Sequence, residues 1–118
     1  MTYQKPEFKT QYENYIGGEW LAPVDGEYFD DTSPVDGSHI TRVPKSNSKD
    51  IDLAVKAAGK AADSWGNTPA TERSNIMFKI AERIEENLET LALVECWDNG
   101  KAIRETMAAD IPLAVDHF

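Results

Sequence analysis

The sequence contains one cysteine, few basic residues and no long apolar run. Cys96, the single cysteine, cannot form an intramolecular disulfide or supply a cysteine-based zinc cluster. No apolar stretch approaches the roughly 20 residues that a membrane-spanning helix needs, so none is expected. Residues 1–15 lack the apolar core of a secretory signal, so we expect a cytoplasmic protein with no membrane partner.

Basic residues are outnumbered, at 12 Lys and Arg against 21 Asp and Glu, which gives a formal net charge of −9. Such an acidic surface repels phosphate groups, so nucleic acids and anionic membranes are excluded as expected partners. Hydrophobic residues make up 41% and charged residues 28% of the 118 positions, the balance of an ordinary globular domain.

The segment 15–46 predicts a small β ribbon or meander. "YIGGEWL" (15–21) is interpreted as one extended run with Ile16 and Trp20 on the same face, and "HITRVP" as another short strand. Turns are predicted at the two Asp-Gly pairs, 25–26 and 36–37.

The segment 48–118 predicts helices, because apolar positions recur every three or four residues. Ser48 is expected to cap the first helix and Gly66 to end it. Thr68 is expected to cap the second helix, with Pro69 in its first turn. Their apolar stripes are Ile51, Ala54, Val55, Ala58, Ala61, Ala62 and Trp65, then Ile76, Met77, Ile80, Ala81, Ile84 and Leu88.

Asn87 is expected to interrupt the second helix and to cap a third, which Asn99-Gly100 closes. A further helix is predicted from about Ala102, with Asp110 capping its last portion and Pro112 tolerated in that first turn. The chain then stops at Phe118 within an apolar stripe, without a stop signal. This ending predicts a segment of a longer protein.

"ECWDNGKAIRET" (95–106) is the stretch richest in reactive side chains. Cys96 as a nucleophile would need a nearby base and a positive environment, whereas Glu95 and Asp98 flank it, so a packed thiol is favoured. Gly100-Lys101 lacks the rest of a phosphate-binding loop and is better explained as a helix end.

Acidic side chains crowd another stretch but predict no acid–base site. Their spacing is typical of a solvated helix face, with Lys79 and Arg83 available for ion pairs. The four glutamates are Glu82, Glu85, Glu86 and Glu89.

Four motifs in order nevertheless resemble one known family. They are "YIGGEWL", "SPVDG", "DIDLAVKAAGKAADSW" and "TERSNIMFKIAERIEENLETLALVECWDNGK". In combination they look like the N-terminal segment of the NAD(P)-dependent aldehyde dehydrogenase superfamily, and the tail "ETMAADIPLAVDHF" looks most like bacterial enzymes for acetaldehyde and aliphatic aldehydes.

The resemblance implies an α/β fold with a Rossmann-like coenzyme domain. Residues 1–118 would be the N-terminal part of that domain, ending before its βαβ nucleotide-binding core. The implied enzyme is a homo-oligomer, a dimer or tetramer, that oxidises aldehydes to carboxylic acids with NAD or NADP. Its cysteine would form a thiohemiacetal, hydride would pass to the nicotinamide, and water would hydrolyse the thioester.

The family's catalytic and coenzyme-binding residues match no position of this chain, so the 118 residues alone are expected to be inactive. Two sets of residues do match the family pattern. Asp98, with the backbone carbonyls of Asp31 and Thr32, matches ligands of a structural monovalent cation, while a plain helix-end role for Asp98 stays open. Ala109 and Leu113 match positions of the substrate entrance tunnel, although the same helix face could be core.

A second hypothesis also stays open. The apolar positions Ile111, Val115 and Phe118 would equally suit a non-catalytic acidic helical module that docks onto another protein.

Overall fold

The computed structural model of the protein describes residues 3–118. The elements in chain order are strands β1 Asn14–Ile16, β2 Glu19–Leu21, β3 Tyr28–Thr32 and β4 His39–Pro44, then helices α1 Ser48–Asn67, α2 Ala70–Glu86, α3 Leu88–Asn99 and α4 Ile103–Glu105, a π-turn at Thr106–Asp110, and helix α5 Ile111–His117. The predicted order of short strands followed by helices is therefore confirmed. None of the described helices combines the length and the apolar character needed to cross a membrane.

Packing divides the chain into two compact units. One comprises the segment up to Glu7, Thr32–Ser38 and Pro69–Phe118, and the other comprises Phe8–Asp31 and His39–Thr68.

In the Phe8–Asp31 and His39–Thr68 unit, the prediction of one extended run over 15–21 is wrong. Strands β1 and β2 form an antiparallel hairpin in which Tyr15 pairs with Trp20. Gly17 and Gly18 turn the chain between them with φ of 63° and 89°. Two-residue hairpin turns need such positive φ values, which glycine adopts without steric cost. The Tyr15 and Trp20 rings then lie 4.8 Å apart.

The predicted meander is also wrong, because the four strands form two separate pairs, β1 with β2 and β3 with β4. Both predicted Asp-Gly turns are present, and each glycine donates its N–H to a carbonyl three or four residues earlier. Gly26 donates to Pro23 O at 2.8 Å, and Gly37 donates to Ser33 O at 2.8 Å. The turn at Gly26 lies between the two pairs, whereas the turn at Gly37 lies in the connection between β3 and β4, which pair with each other.

Helix α1 is capped by Asn47 rather than by Ser48. The Asn47 side chain accepts from the N–H of Lys49 at 2.9 Å, while Asp50 Oδ2 accepts from the N–H of Asn47 at 2.9 Å. This reciprocal arrangement is a capping box. Asn47 has the better position because an acid follows it three residues later.

Helix α1 also runs through Gly66, so the predicted stop there is wrong. Thr68 closes α1 instead of capping α2, since its hydroxyl donates to Ser64 O at 2.9 Å. Pro69 occupies the cap position of α2 with φ of −52° and ψ of 139°. A residue before proline avoids the helical region, and that constraint ends α1 here.

In the unit containing α2–α5, helix α5 packs on α2 and α3. Asn87 separates α2 from α3 as predicted, although its side chain donates back to Arg83 O at 2.8 Å and does not cap α3. Asp110 caps nothing, because the backbone continues through it in a helical conformation.

Few apolar side chains are buried in either unit. Among the described residues the buried hydrophobic ones are Ile40 and Ala92. Several members of the predicted helical stripes are exposed in this chain. Ile51 is 59%, Val55 64% and Ile76 43% exposed.

Candidate functional site

The stretch "ECWDNGK" forms the C-terminal end of α3. Gly100 follows the helix with φ of 80° and donates its N–H to Cys96 O at 3.0 Å. Asn99 accepts from the N–H of Lys101 at 2.8 Å and donates to the Glu95 carboxylate at 2.5 Å. An α-helix that is followed by a residue in the left-handed conformation ends there, so the interpretation of Gly100 as a stop is confirmed.

The "TSPVDGS" turn packs against this helix end. The Ser33 hydroxyl, with the residue only 2% exposed, donates to Trp97 O at 2.5 Å. A Cβ added at Gly100 would lie 3.0 Å from Pro34 Cγ. The hydroxyl satisfies a carbonyl in the last turn of α3, where helices leave their carbonyls without partners. Sequence reasoning missed Ser33, because it considered only the backbone at this turn.

Lys5 connects the N-terminal segment to the turn that ends at Ser38 and to Trp97 of α3. Its ammonium donates to Ser38 Oγ at 2.6 Å and lies 5.1 Å from the centroid of the Trp97 ring. Trp97 therefore links the N-terminal segment to α3, and its indole face carries a cation–π contact.

The proposed cation ligands flank the Ser33–Trp97 hydrogen bond in the chain. Thr32 precedes Ser33, and Asp98 follows Trp97; both are exposed. Asp31, at the preceding position of β3, is half-buried. Across residues 3–118 no group of three or more His, Cys, Asp and Glu side chains is placed to hold a metal ion. A site with one carboxylate and two backbone carbonyls does not need such a group, so it stays a prediction.

The two tunnel positions belong to the C-terminal part of the chain. Ala109 belongs to the π-turn and Leu113 to α5, and both are exposed, Leu113 by 54%. The alternative that this face is core within the chain is therefore not what the structure has. Next to it, Lys101 Nζ lies 2.5 Å from Asp110 Oδ2, and this hydrogen bond raises the pKa of the Lys101 ammonium.

The remaining candidates have the ordinary structural roles expected of them. Cys96 is half-buried on α3. The four candidate glutamates, Glu82, Glu85, Glu86 and Glu89, are exposed, and Arg83 pairs with Glu86 at 3.4 Å on the surface.

The chain resembles known proteins in both sequence and structure. Residues 20–118 match the aldehyde dehydrogenase family. The chain belongs to the aldehyde dehydrogenase family. The resemblance seen in its motifs is thereby confirmed.

The chain is 62% identical over 111 residues to an acetaldehyde dehydrogenase of Pseudomonas aeruginosa, of which it covers 22%. It is 60% identical over 114 residues to a long-chain-aldehyde dehydrogenase of an Acinetobacter species, of which it covers 23%. The chain therefore spans less than a quarter of the length of these relatives, in their N-terminal part.

Solved structures of the family share the fold of this segment. PnpE in complex with nicotinamide adenine dinucleotide superposes with a TM-score of 0.86 at 40% identity, over 89% of this chain and 22% of that one. Indole-3-acetaldehyde dehydrogenase in complex with NAD+ gives a TM-score of 0.87 at 36% identity, over 92% of this chain and 22% of that one.

Proposed function

We propose that the 118 residues are the N-terminal part of a longer NAD(P)-dependent aldehyde dehydrogenase that oxidises aliphatic aldehydes to carboxylic acids. The observation that carries the proposal is the identity of 62% to an acetaldehyde dehydrogenase of which the chain covers only 22%. In the longer enzyme that contains this chain, segments 15–46 and 48–118 would be the β ribbon and the helical layer of the coenzyme domain.

The large exposed surface supports a partner polypeptide for this segment. A compact protein of 13.2 kDa exposes about 6,400 Å², and two separate compact bodies of half that mass would expose about 7,700 Å² together. This chain exposes 8504 Å². This area exceeds both values, and the exposed residues include aromatic side chains such as Tyr15, Trp20 and Phe78.

The same surface would suit the interaction-module hypothesis, and the reading frame beyond Phe118 distinguishes the two. A frame that continues into a βαβ pattern and a later cysteine supports the enzyme. The polypeptide from that longer frame should then reduce NAD+ or NADP+ when given acetaldehyde, while the 118-residue chain alone should not. Aldehyde-dependent reduction by the short chain would refute the assignment of the chemistry to the remainder of the protein. Sedimentation of the longer polypeptide would test the implied homo-oligomer.

A structural monovalent cation is the first role proposed for this segment itself. Oxygen donors alone, from Asp98 and the carbonyls of Asp31 and Thr32, suit a hard cation such as Na+ or K+. The Ser33–Trp97 hydrogen bond supports the site, because it joins the residues next to Thr32 and Asp98.

The cation site is tested by the thermal stability of the longer enzyme in sodium chloride and in choline chloride of equal ionic strength. Sodium should raise the unfolding temperature of the wild type and of the control Glu89→Gln, an exposed carboxylate on the same helix. Asp98→Asn should abolish the difference. A sodium effect that persists in Asp98→Asn would remove Asp98 from the ligand set.

The second role proposed is the lining of the aldehyde entrance by Ala109 and Leu113. Exposure of both residues in this chain leaves them available to face a substrate. Ala109→Leu should lower kcat/KM for hexanal more than for acetaldehyde, because added bulk obstructs the longer chain first. Equal effects on the two aldehydes would argue against this placement.

A further inference from the structure

The helix that carries Ala109 and Leu113 contains one extra residue in a single turn. The N–H of Ile111 donates to Thr106 O, five residues earlier, instead of to the residue four earlier. Pro112 follows directly, and proline has no N–H to donate while its ring clashes with the carbonyl four residues before it. A wider turn at this point removes that clash. Such π-turns are rare and are frequently found at functional sites.

Both ends of the π-turn are held by contacts outside it. Thr106 is fully buried, and its hydroxyl lies 3.0 Å from Ala92 O on α3. At the other end, Asp110 Oδ2 lies 2.5 Å from Lys101 Nζ. Lys101 itself is fixed to α3, because its N–H donates to the Asn99 side chain and it follows the left-handed Gly100.

The ion pair therefore ties the last residue of the π-turn to the end of α3. Its two side chains are 44% and 31% exposed, so they are better shielded than those of the neighbouring Arg104–Glu105 pair, at 85% and 47%. Shielding from water increases the strength of an ion pair, whereas exposed pairs contribute little.

The position of Ala109 relative to Leu113 depends on this turn. Ala109 lies inside it, one residue before Asp110, and Leu113 lies in the helix that follows. If the turn relaxed to ordinary α-helical geometry, the direction of one side chain would rotate relative to the other.

We propose that Lys101 is a positioning residue that, through Asp110, holds the π-turn and so sets the aldehyde-size preference of the enzyme. This inference rests on the proposed placement of Ala109 and Leu113 beside the aldehyde. Lys101 and Asp110 touch no reacting atom in this account.

The test uses the longer enzyme and the variant Lys101→Met, which keeps the apolar stem and loses the charge. The ratio of kcat/KM for hexanal to that for acetaldehyde should change by about three- to tenfold, since displaced contacts near a substrate have effects of this size or larger. The kcat for acetaldehyde should change by less than about twofold. Amide hydrogen exchange of Ile111 should become faster, because its bond to Thr106 O is released.

Three further variants complete the design. Asp110→Asn should reproduce both effects, and Lys101→Arg should restore the wild-type ratio, because it keeps the charge. The matched control Arg104→Met removes the adjacent exposed ion pair and should alter neither quantity.

An unchanged Ile111 exchange rate in Lys101→Met and Asp110→Asn would overturn the inference, whatever the activity. Equal losses of kcat/KM for both aldehydes would overturn it as well, because they would indicate a merely structural role. Absence of aldehyde oxidation in the wild type would instead refute the proposed function.

Discussion

Replacing Asp50 with alanine should destabilise the protein more than any change on the exposed face of α1. Asp50 is only 3% exposed, and its two oxygens accept from two different backbone N–H groups. Oδ1 accepts from Val24 at 2.8 Å and Oδ2 accepts from Asn47 at 2.9 Å. One carboxylate thus completes the capping box of α1 and also binds the loop after β2.

The magnitude follows from those two bonds. Loss of a helix cap costs about 0.5–2 kcal/mol, and a hydrogen bond to a charged group contributes about 1.5–3 kcal/mol. Water can replace part of the lost bonding at the exposed Val24, so we expect Asp50→Ala to cost about 2–3 kcal/mol. Asp50→Asn keeps one acceptor oxygen and should cost about 1 kcal/mol.

The assay is urea unfolding of the 118-residue chain, followed by far-ultraviolet circular dichroism. The matched control is Asp52→Ala, an exposed acid two residues further along the same helix, which should change the unfolding free energy by less than about 0.5 kcal/mol. On heating, the loss expected for Asp50→Ala corresponds to roughly 6–12 °C in the unfolding midpoint.

Equal stabilities of Asp50→Ala and Asp52→Ala would refute the reasoning, because the buried carboxylate would then contribute no more than an exposed one. A loss in Asp50→Asn as large as that in Asp50→Ala would show that charge, and not the number of accepted bonds, decides the effect.

The remaining predictions concern a glycine and a tyrosine. Gly100→Ala should cost at least about 1 kcal/mol, because alanine disfavours a φ of 80° and its Cβ would crowd Pro34 at 3.0 Å. The control Gly59→Ala, within α1 and with nothing within 4 Å of an added Cβ, should stabilise by about 0.4–1 kcal/mol in the same urea titration; the opposite order would contradict this. The Tyr28 hydroxyl donates to Glu13 at 2.6 Å and is the main cause that lowers the pKa of Glu13 below its ordinary value of 4.5. Because the pKa of Glu13 is lower in the folded state, the carboxylate stabilises the fold at pH values above its unfolded-state pKa. This contribution is lost as the pH falls through the folded-state pKa. Tyr28→Phe should therefore lose less stability than the wild type as the pH falls from about 5 to about 3, a range that begins just above the ordinary Glu pKa and extends below it, whereas Tyr15→Phe should behave as the wild type.

Local signals predicted several boundaries correctly. Asn87 and Gly100 end helices as expected, because the steric preferences of Gly and Asn act within a few residues. The boundaries that were predicted wrongly also depend on signals within a few residues, but the prediction gave those signals too little weight. Asn47 with Asp50 outcompetes Ser48 as a cap, and the restriction before Pro69 ends α1 at Asn67, one residue beyond Gly66.

Features that depend on tertiary contacts could not be predicted. The π-turn is held by the burial of Thr106 against α3 and by the Lys101–Asp110 pair, and neither contact follows from a helical period. The same holds for the hydroxyl of Ser33, which reaches Trp97 across 64 positions of sequence.

The apolar stripes show a different limit. Periodicity indicates which residues of a helix will be buried, but it does not say against what. Ile51, Val55 and Ile76 are exposed here, as expected if their partner surface belongs to the remainder of the enzyme. The assignments of Asp98, Asp31, Thr32, Ala109 and Leu113 depend on family resemblance and stay predictions.

The most direct test of the central claim is a chimera with the Pseudomonas aeruginosa acetaldehyde dehydrogenase. Its matched segment of 111 residues is replaced by that of this chain, and aldehyde-dependent reduction of NAD+ and NADP+ is measured. The account predicts activity in the chimera and none in the relative that lacks the segment or in the 118-residue chain alone. A chimera that folds but oxidises no aldehyde would contradict it.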